Sequence, residues 1–294
     1  MCRVLGYLGE PIALAHVLFE TDSSLVRQSH SPRMMEKFLN LAGFGMVAWD
    51  PRSVDADEPF LYHTTTLPDF DRNLRSLSSK LAPTCLVAHV RAVADGEHAT
   101  VAAANLHPFR FRDARVVLAH NGHLREFARM RYYLLEHVRP EIAQEISGTT
   151  DSEWIYALVL SRLEDPFGEP DAKELARAVT STLRLLREVR ARHGIDTSSP
   201  VNLFLATGRS LVATRFSFDY GWYPDGDSLL ETDLPYCSLW YTVEGAPGGL
   251  RSVLIASEPL TIDTSTWLEV PEYSMLTAAV GPDALELETL DLDA

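Results

Sequence analysis

Eight short apolar runs, bounded by Gly, Pro or Asp, constrain this chain more than any other feature. They are Cys2–Leu8, Phe44–Trp49, Cys85–Val90, Val116–Ala119, Val201–Ala206, Leu211–Phe216, Leu239–Val243 and Val253–Ala256. Each has the length and the β-branched or aromatic content of a strand. Fewer stretches read as helices. Asp151–Leu163 opens with capping-box spacing between Thr150 and Glu153, then repeats Ile155, Leu158, Val159 and Leu163 on one face. Asp171–Arg192 carries Leu175, Val179, Leu183, Leu186 and Val189 at helical spacing, with Gly194 as a stop. Shorter helices are expected over Arg72–Leu81 and over Phe127–Ile146, the latter interrupted at Pro140. Strands outnumber helices, and the helices are grouped instead of alternating with strands. That is the pattern of an α+β fold, not of a doubly wound parallel sheet.

Repeats, low-complexity tracts and an obvious linker are not seen. Asp165–Asp171 is a turn-rich gap, and Asp219–Pro235 reads as a long surface loop. A single domain over residues 1–294 is therefore expected. The hydrophobic fraction of 46% is enough for a sizeable core. The 26 basic and 41 acidic residues leave a net charge of −15, which disfavours nucleic acid as the main partner and leaves a small polar ligand or another protein. The start of the chain does not read as a signal peptide and no run is long enough to span a membrane, so a cytoplasmic protein is expected. Its three cysteines are too few and too scattered for a zinc site or a disulfide framework.

Several residues could carry chemistry, and each has a plainer reading. Removal of Met1 would leave Cys2 with a free α-amine, of pKa about 7.7–8.0, beside its own thiol. The plainer reading is a small apolar residue opening a buried strand. Arg91 ends a strand, where an ordinary salt bridge would also suit it. Asn121-Gly122 is the sequence of a hairpin turn. Asp151 stands in the first turn of a helix, where it complements the helix dipole. His107 lies in a polar turn and can order its surroundings. Glu258 closes a strand, with no mechanism that requires it. Cys85 and Cys237 sit in apolar strands as core thiols. His89, His98, His107, His120 and His123 crowd one region, but without an HExxH pair or a companion set of carboxylates they do not read as a metal centre.

Taken in order, MCRVLGYLG, Ala88-His89-Val90-Arg91-Ala92, Asn105-Leu106-His107-Pro108-Phe109, Leu118-Ala119-His120-Asn121-Gly122 and Gly148-Thr149-Thr150-Asp151-Ser152-Glu153 resemble the class II glutamine amidotransferases, whose nucleophile is an N-terminal cysteine. The likeness is greatest to the small stand-alone members related to glutathione-degrading proteins and ergothioneine-pathway γ-glutamyl hydrolases. It runs on through Ala256-Ser257-Glu258-Pro259-Leu260-Thr261 to Trp267 and Pro271.

The resemblance implies an N-terminal-nucleophile hydrolase fold of four αββα layers, with two antiparallel sheets between helical layers. It implies hydrolysis of a γ-glutamyl amide through a thioester on Cys2, without metal or organic cofactor. Asn121 and Gly122 would donate to the oxyanion, Arg91 would bind the substrate α-carboxylate, Asp151 its α-ammonium, and His107 would order the pocket or touch substrate. Because the resemblance spans the chain, no fused synthase domain is expected. Ammonia would be released or passed to a separate protein. A non-catalytic γ-glutamyl-binding or regulatory protein on the same fold is the alternative. Ala92, Ala42 and His123 depart from the family pattern around the pocket and leave the substrate open.

Overall fold

The computed structural model describes residues 2–34, 40–92, 101–218 and 237–292. Met1, His98 and the expected loop at 219–235 lie outside the described residues. From the amino end, β1 (Arg3–Gly9) leads through a π-helical turn at His16–Glu20 to α1 (Leu25–Gln28), β2 (Phe44–Trp49) and β3 (Phe60–Thr64). Next come α2 (Arg72–Ser78), β4 (Cys85–Val90), β5 (Val117–Gly122) and four helices, α3 (Phe127–Leu135), α4 (Pro140–Ala143), α5 (Asp151–Leu160) and α6 (Ala172–Arg192). The rest is β: β6 (Ser199–Ala206), β7 (Ser210–Arg215), β8 (Ser217–Phe218), β9 (Trp240–Ala246), β10 (Gly249–Ala256), β11 (Leu268–Glu269), β12 (Ser274–Val280) and β13 (Leu285–Asp291). The α+β class holds, and each of the eight apolar runs lies within a strand but for at most one residue at an end, with Cys2, Val116, Phe216 and Leu239 falling just outside.

The strands join into one antiparallel sheet, in the order β3-β2-β4-β1-β10-β13-β12-β7-β6-β5, with β8, β9 and β11 attached at its sides. Two separate sheets were expected; here a single register pair, Leu250 with Leu285, links β10 to β13 and makes the sheet continuous. The sheet curls, so that β1 and β4 pack against β5 and β6, which are distant from them in strand order. Alternation along each strand then feeds two cores. In β1, Val4 and Leu8 point between the two limbs, where they meet Phe204 and Leu211, while Leu5 and Tyr7 point to Leu18, Leu25 and Leu74 outside. The other limb turns its outer face to α5 and α6. With both faces covered, the central strands read as unbroken apolar runs.

The sequence reading misses β3, β12 and β13 and the two-residue β8 and β11; β3 exposes Phe60 and Leu61, and in β13 Glu286 and Glu288 alternate with leucines instead of forming an apolar run. The helix expected over Asp151–Leu163 stops at Leu160. Arg139 explains the stop: its backbone N–H donates to Ser161 Oγ (3.0 Å), its Nε to the Ser161 carbonyl (3.1 Å) and its Nη2 to the Leu163 carbonyl (2.6 Å). The stretch from Phe127 to Ile146 divides into α3 and α4, with Pro140 opening the second piece. The expected caps form, Thr150 Oγ1 accepting from the Glu153 N–H and Asp171 Oδ1 from the Glu174 N–H. Among the described residues no helix is long and apolar enough to cross a membrane.

One carboxylate closes the end of β2. Asp50 accepts from the Arg52 N–H, the Arg52 guanidinium and the Ala82 N–H, tying β2 to the segment that precedes β4. The Arg52 hydrogen bonds, assisted by Ala82, hold its pKa down from 3.8 to about 2. A depressed carboxylate stabilises the fold above its unfolded value and loses that contribution as pH falls through the folded one. Asp50→Asn should therefore flatten the decline in urea midpoint between pH 3.8 and about 2. A wild-type slope retained by the variant would contradict this.

Candidate active site

The inter-limb face ends in polar residues. Continuing the alternation of β1 beyond Val4 puts Cys2 on that face, and the same parity puts His89 and Arg91 of β4 and Asn121 of β5 there. Cys2 is half-buried. The backbone of Ala92 holds its sulfur from both sides, the N–H pointing at Sγ (3.3 Å) and the carbonyl lying 3.8 Å away. Ala92, which departs from the family pattern, thus meets the thiol through its backbone, which any side chain would leave in place.

Arg91 is almost fully enclosed, at 6% exposure. Burial pushes its guanidinium below its ordinary value, while negative charge on Cys2 and on Asp151 pulls it back. Arg91 thus lies within electrostatic reach of both Cys2 and Asp151, which are remote from it in sequence. Asp151 is fixed at the first turn of α5. Its Oδ1 accepts from the N–H and the hydroxyl of Ser152, and its Oδ2 accepts from the Leu124 N–H (2.5 Å). His123 Nδ1 stands 3.6 Å from Oδ2. The loop leading in is anchored by Asn105, which exchanges two hydrogen bonds with Thr149, and by Glu153, which takes the N–H groups of Ser147 and Gly148.

Asn121 and Gly122 end β5. The Asn121 amide is fully buried and donates through Nδ2 to Ser257 Oγ (3.1 Å), which also accepts from the Val4 N–H. Asn121 is thus joined to the strand that begins beside Cys2. Gly122 has φ +157°, and a Cβ there would lie 2.0 Å from the Pro200 carbonyl oxygen and 2.5 Å from His120 Nε2. Only glycine fits that approach.

His107 is buried. Its ring is buried against His89 (centroids 4.3 Å apart) and Phe109 (4.6 Å), forming part of the wall behind Arg91. Gly45 makes room for this segment, since a Cβ there would meet the His107 carbonyl oxygen at 2.1 Å. His120 completes the wall, its Nδ1 sharing a hydrogen bond of 2.9 Å with Ser152 Oγ and so reaching Asp151. Burial pushes His89 down to about 3 and also lowers His107, His120 and His63. Burial thus disfavours the imidazolium form of each. Among the described residues no group of three or more His, Cys, Asp or Glu could hold a metal ion. The contributions of Ser152, His120 and Ser257 are not foreseen in the sequence. Ser257 could have been suspected from its place in an otherwise apolar run.

The family model for class II glutamine amidotransferases matches residues 71–221. The chain is 29% identical over 300 residues to the probable glutamine amidotransferase DUG3 of Saccharomyces cerevisiae, covering 94% of this chain and 81% of that protein. It is 24% identical over 281 residues to the gamma-glutamyl-hercynylcysteine sulfoxide hydrolase of Mycolicibacterium smegmatis, covering 94% and 95%. The fold matches a glutamine aminotransferase class-II domain protein from Silicibacter pomeroyi with TM-score 0.66 and 22% identity over the whole of both chains. It also matches the glutamine phosphoribosylpyrophosphate amidotransferase of B. subtilis, with TM-score 0.59 and 17% identity over 98% of this chain and 49% of that one. With more than half of its length matched by the family model, this chain belongs to the class II glutamine amidotransferases.

Proposed function

We propose that the protein hydrolyses a γ-glutamyl amide bond by covalent catalysis at Cys2. The observation that supports this reading is the alignment of Cys2, Arg91 and Asn121 along the inter-limb face, with Asn121 joined through Ser257 to the strand that follows Cys2 and Arg91 under the electrostatic influence of Asp151. A γ-glutamyl group presents an α-carboxylate, an α-ammonium and a carbonyl. The Arg91 fork suits the first. Asp151 suits the second, as a carboxylate held in place by the Ser152 and Leu124 N–H groups at the first turn of α5.

Once Met1 is removed, the Cys2 amine takes the thiol proton and Sγ bonds to the carbonyl carbon of the γ-glutamyl amide. The oxyanion forms against the Asn121 amide and the Gly122 N–H. Collapse breaks the C–N bond, the amine passes its proton to the departing nitrogen, and a γ-glutamyl thioester remains. Water, deprotonated by the same amine, then displaces the thiolate and releases glutamate. His107 orders the wall and does not itself touch the reacting atoms in this scheme. We read residues 1–294 as one domain, its sheet limbs as the two central layers of the N-terminal-nucleophile fold, and its setting as cytoplasmic.

The test is a panel of glutamine, glutathione and γ-glutamyl p-nitroanilide, assayed on protein shown by mass to lack Met1. Glutamate should appear with ammonia or the corresponding amine. A processed protein inert toward every γ-glutamyl compound would reject the reading. Arg91→Lys should raise KM roughly 10-fold for substrates with a free α-carboxylate and leave carboxylate-lacking analogues unaffected, because a point charge replaces a bidentate donor. Equal changes for both substrate types would contradict the role given to Arg91.

A further inference from the structure

We infer that Ser257 and Glu258, neighbours just beyond β10, are positioning residues: Ser257 aims the Asn121 amide, and Glu258 acts through Arg3 to fix the backbone of Cys2. The inference rests on the roles proposed above for Cys2 and Asn121.

The β1–β10 register pairs Leu5 with Ala256, which brings Ser257 opposite Val4 and Glu258 opposite Arg3. At Ser257 the ladder changes character. Its N–H still donates to the Val4 carbonyl (3.0 Å), but the Val4 N–H donates to Ser257 Oγ (3.0 Å), a side-chain atom. That hydroxyl accepts a second hydrogen bond from Asn121 Nδ2 (3.1 Å) and donates to the Val4 carbonyl (3.4 Å). One proton and two lone pairs are then all in use. The backbone beneath is held as well, Ser238 Oγ donating to the Ser257 carbonyl at 2.7 Å. An amide has two N–H bonds on Nδ2. Committing one to Ser257 sets the plane of the Asn121 side chain and thereby the direction of the other.

Glu258 and Arg3 are each 1% exposed and lie 2.8 Å apart, Oε1 to Nη2. The other oxygen of Glu258 accepts from the backbone N–H groups of Arg33 (2.9 Å) and Met34 (3.3 Å). Burying two charges is costly, and an apolar pair of similar volume would commonly serve stability as well. What an apolar pair cannot do is reach the Cys2 carbonyl, to which Arg3 Nη1 donates at 3.1 Å. After loss of Met1, that peptide is the only one joining Cys2 to the chain. Rotation about the bond between its Cα and carbonyl carbon would swing the amine and the thiol together. A hydrogen bond to the carbonyl stops that rotation from one side, and the Ala92 N–H on sulfur stops it from the other.

The test uses the full-length, Met1-processed protein, with kcat and KM for γ-glutamyl p-nitroanilide and the pH profile of Cys2 alkylation by iodoacetamide. Ser257→Ala should lower kcat roughly 10- to 100-fold, less than the about 10²–10³ of a lost oxyanion donor, with KM and alkylation unchanged. Ser257→Thr, which keeps the hydroxyl, should restore kcat to within about threefold. In an Asn121→Ala background, Ser257→Ala should have no further effect; a full additional loss there would overturn the Ser257 role. Glu258→Gln should slow alkylation and shift its pH profile while KM stays constant. If that variant does not fold, Arg3→Met combined with Glu258→Leu removes both charges, and a wild-type alkylation profile in it would overturn the Glu258 role. Because alkylation needs no substrate, it reports on Glu258 even if the γ-glutamyl panel fails.

Discussion

Cys2→Ala should lower γ-glutamyl amide hydrolysis by roughly 10⁴–10⁶-fold, the range expected when a covalent nucleophile is lost and only binding and the oxyanion donors remain. The fold should be indifferent to the change. The sulfur is half-buried and its described partner is the backbone of Ala92, so nothing charged is orphaned by its removal. Thermal midpoints of variant and wild type should therefore agree closely, separating loss of chemistry from loss of structure. Denaturing the wild-type enzyme rapidly during turnover should recover a γ-glutamyl adduct on the peptide containing Cys2, and the variant should yield none. Hydrolysis that persists at more than about 1% of the wild-type rate would exclude the thioester route.

The buried histidines predict a second large effect, on stability. Buried His89, His107 and His120 and half-buried His63 all have folded pKa values below the ordinary 6.5, chiefly because desolvation disfavours the imidazolium. In the unfolded chain they protonate near 6.5, so below that pH the unfolded state binds more protons than the native one. Stability is then fully present above 6.5 and falls as pH drops, until each folded pKa is reached. For His89 that window extends down to about 3. Each imidazole kept neutral contributes a slope of about 1.4 kcal/mol per pH unit once its unfolded form is protonated. Urea unfolding at pH 7, 6 and 5 should show this decline, and His89→Gln should remove about one imidazole's share. A flat profile between pH 7 and 5 would show that the wall admits protons.

How legible these features were in the sequence depends on where each residue sits. The eight apolar runs became strands because both faces of the central strands are covered, which leaves an unbroken hydrophobic signal. The strands β3, β12 and β13 lack that unbroken apolar signal: Phe60, Leu61 and Val280 are exposed, and Glu286 and Glu288 break the apolar run of β13 into alternation. The joining of two expected sheets into one depends on the Leu250–Leu285 pair, and a single pairing between distant strands leaves no local trace. Within the site, Arg91, Asn121, Gly122 and Asp151 stood out because each ends or opens a recognisable element. Arg3 did not, and Ser257 and Glu258 stood out only as members of a motif with no role attached, because the places of all three come from the register of β1 against β10 and not from their own neighbours. His107 was legible as a member of a motif, but its enclosure between His89 and Phe109 was not.

The place of β1 between β4 and β10 has a consequence for how the molecule is made. Leu5 pairs with Ala88 on one side and with Ala256 on the other, so the two ladders close chain segments of very different length. Contacts this remote in sequence form late and slow folding, because the entropy of loop closure is lost before the contacts stabilise anything. The surroundings of Cys2 draw on residues 92, 121 and 257, the last of which reaches β1 through the Val4 N–H. The proposed site is therefore assembled only when segments on both sides of β1 have closed on it, and an incompletely folded chain would hold Cys2 as an ordinary cysteine.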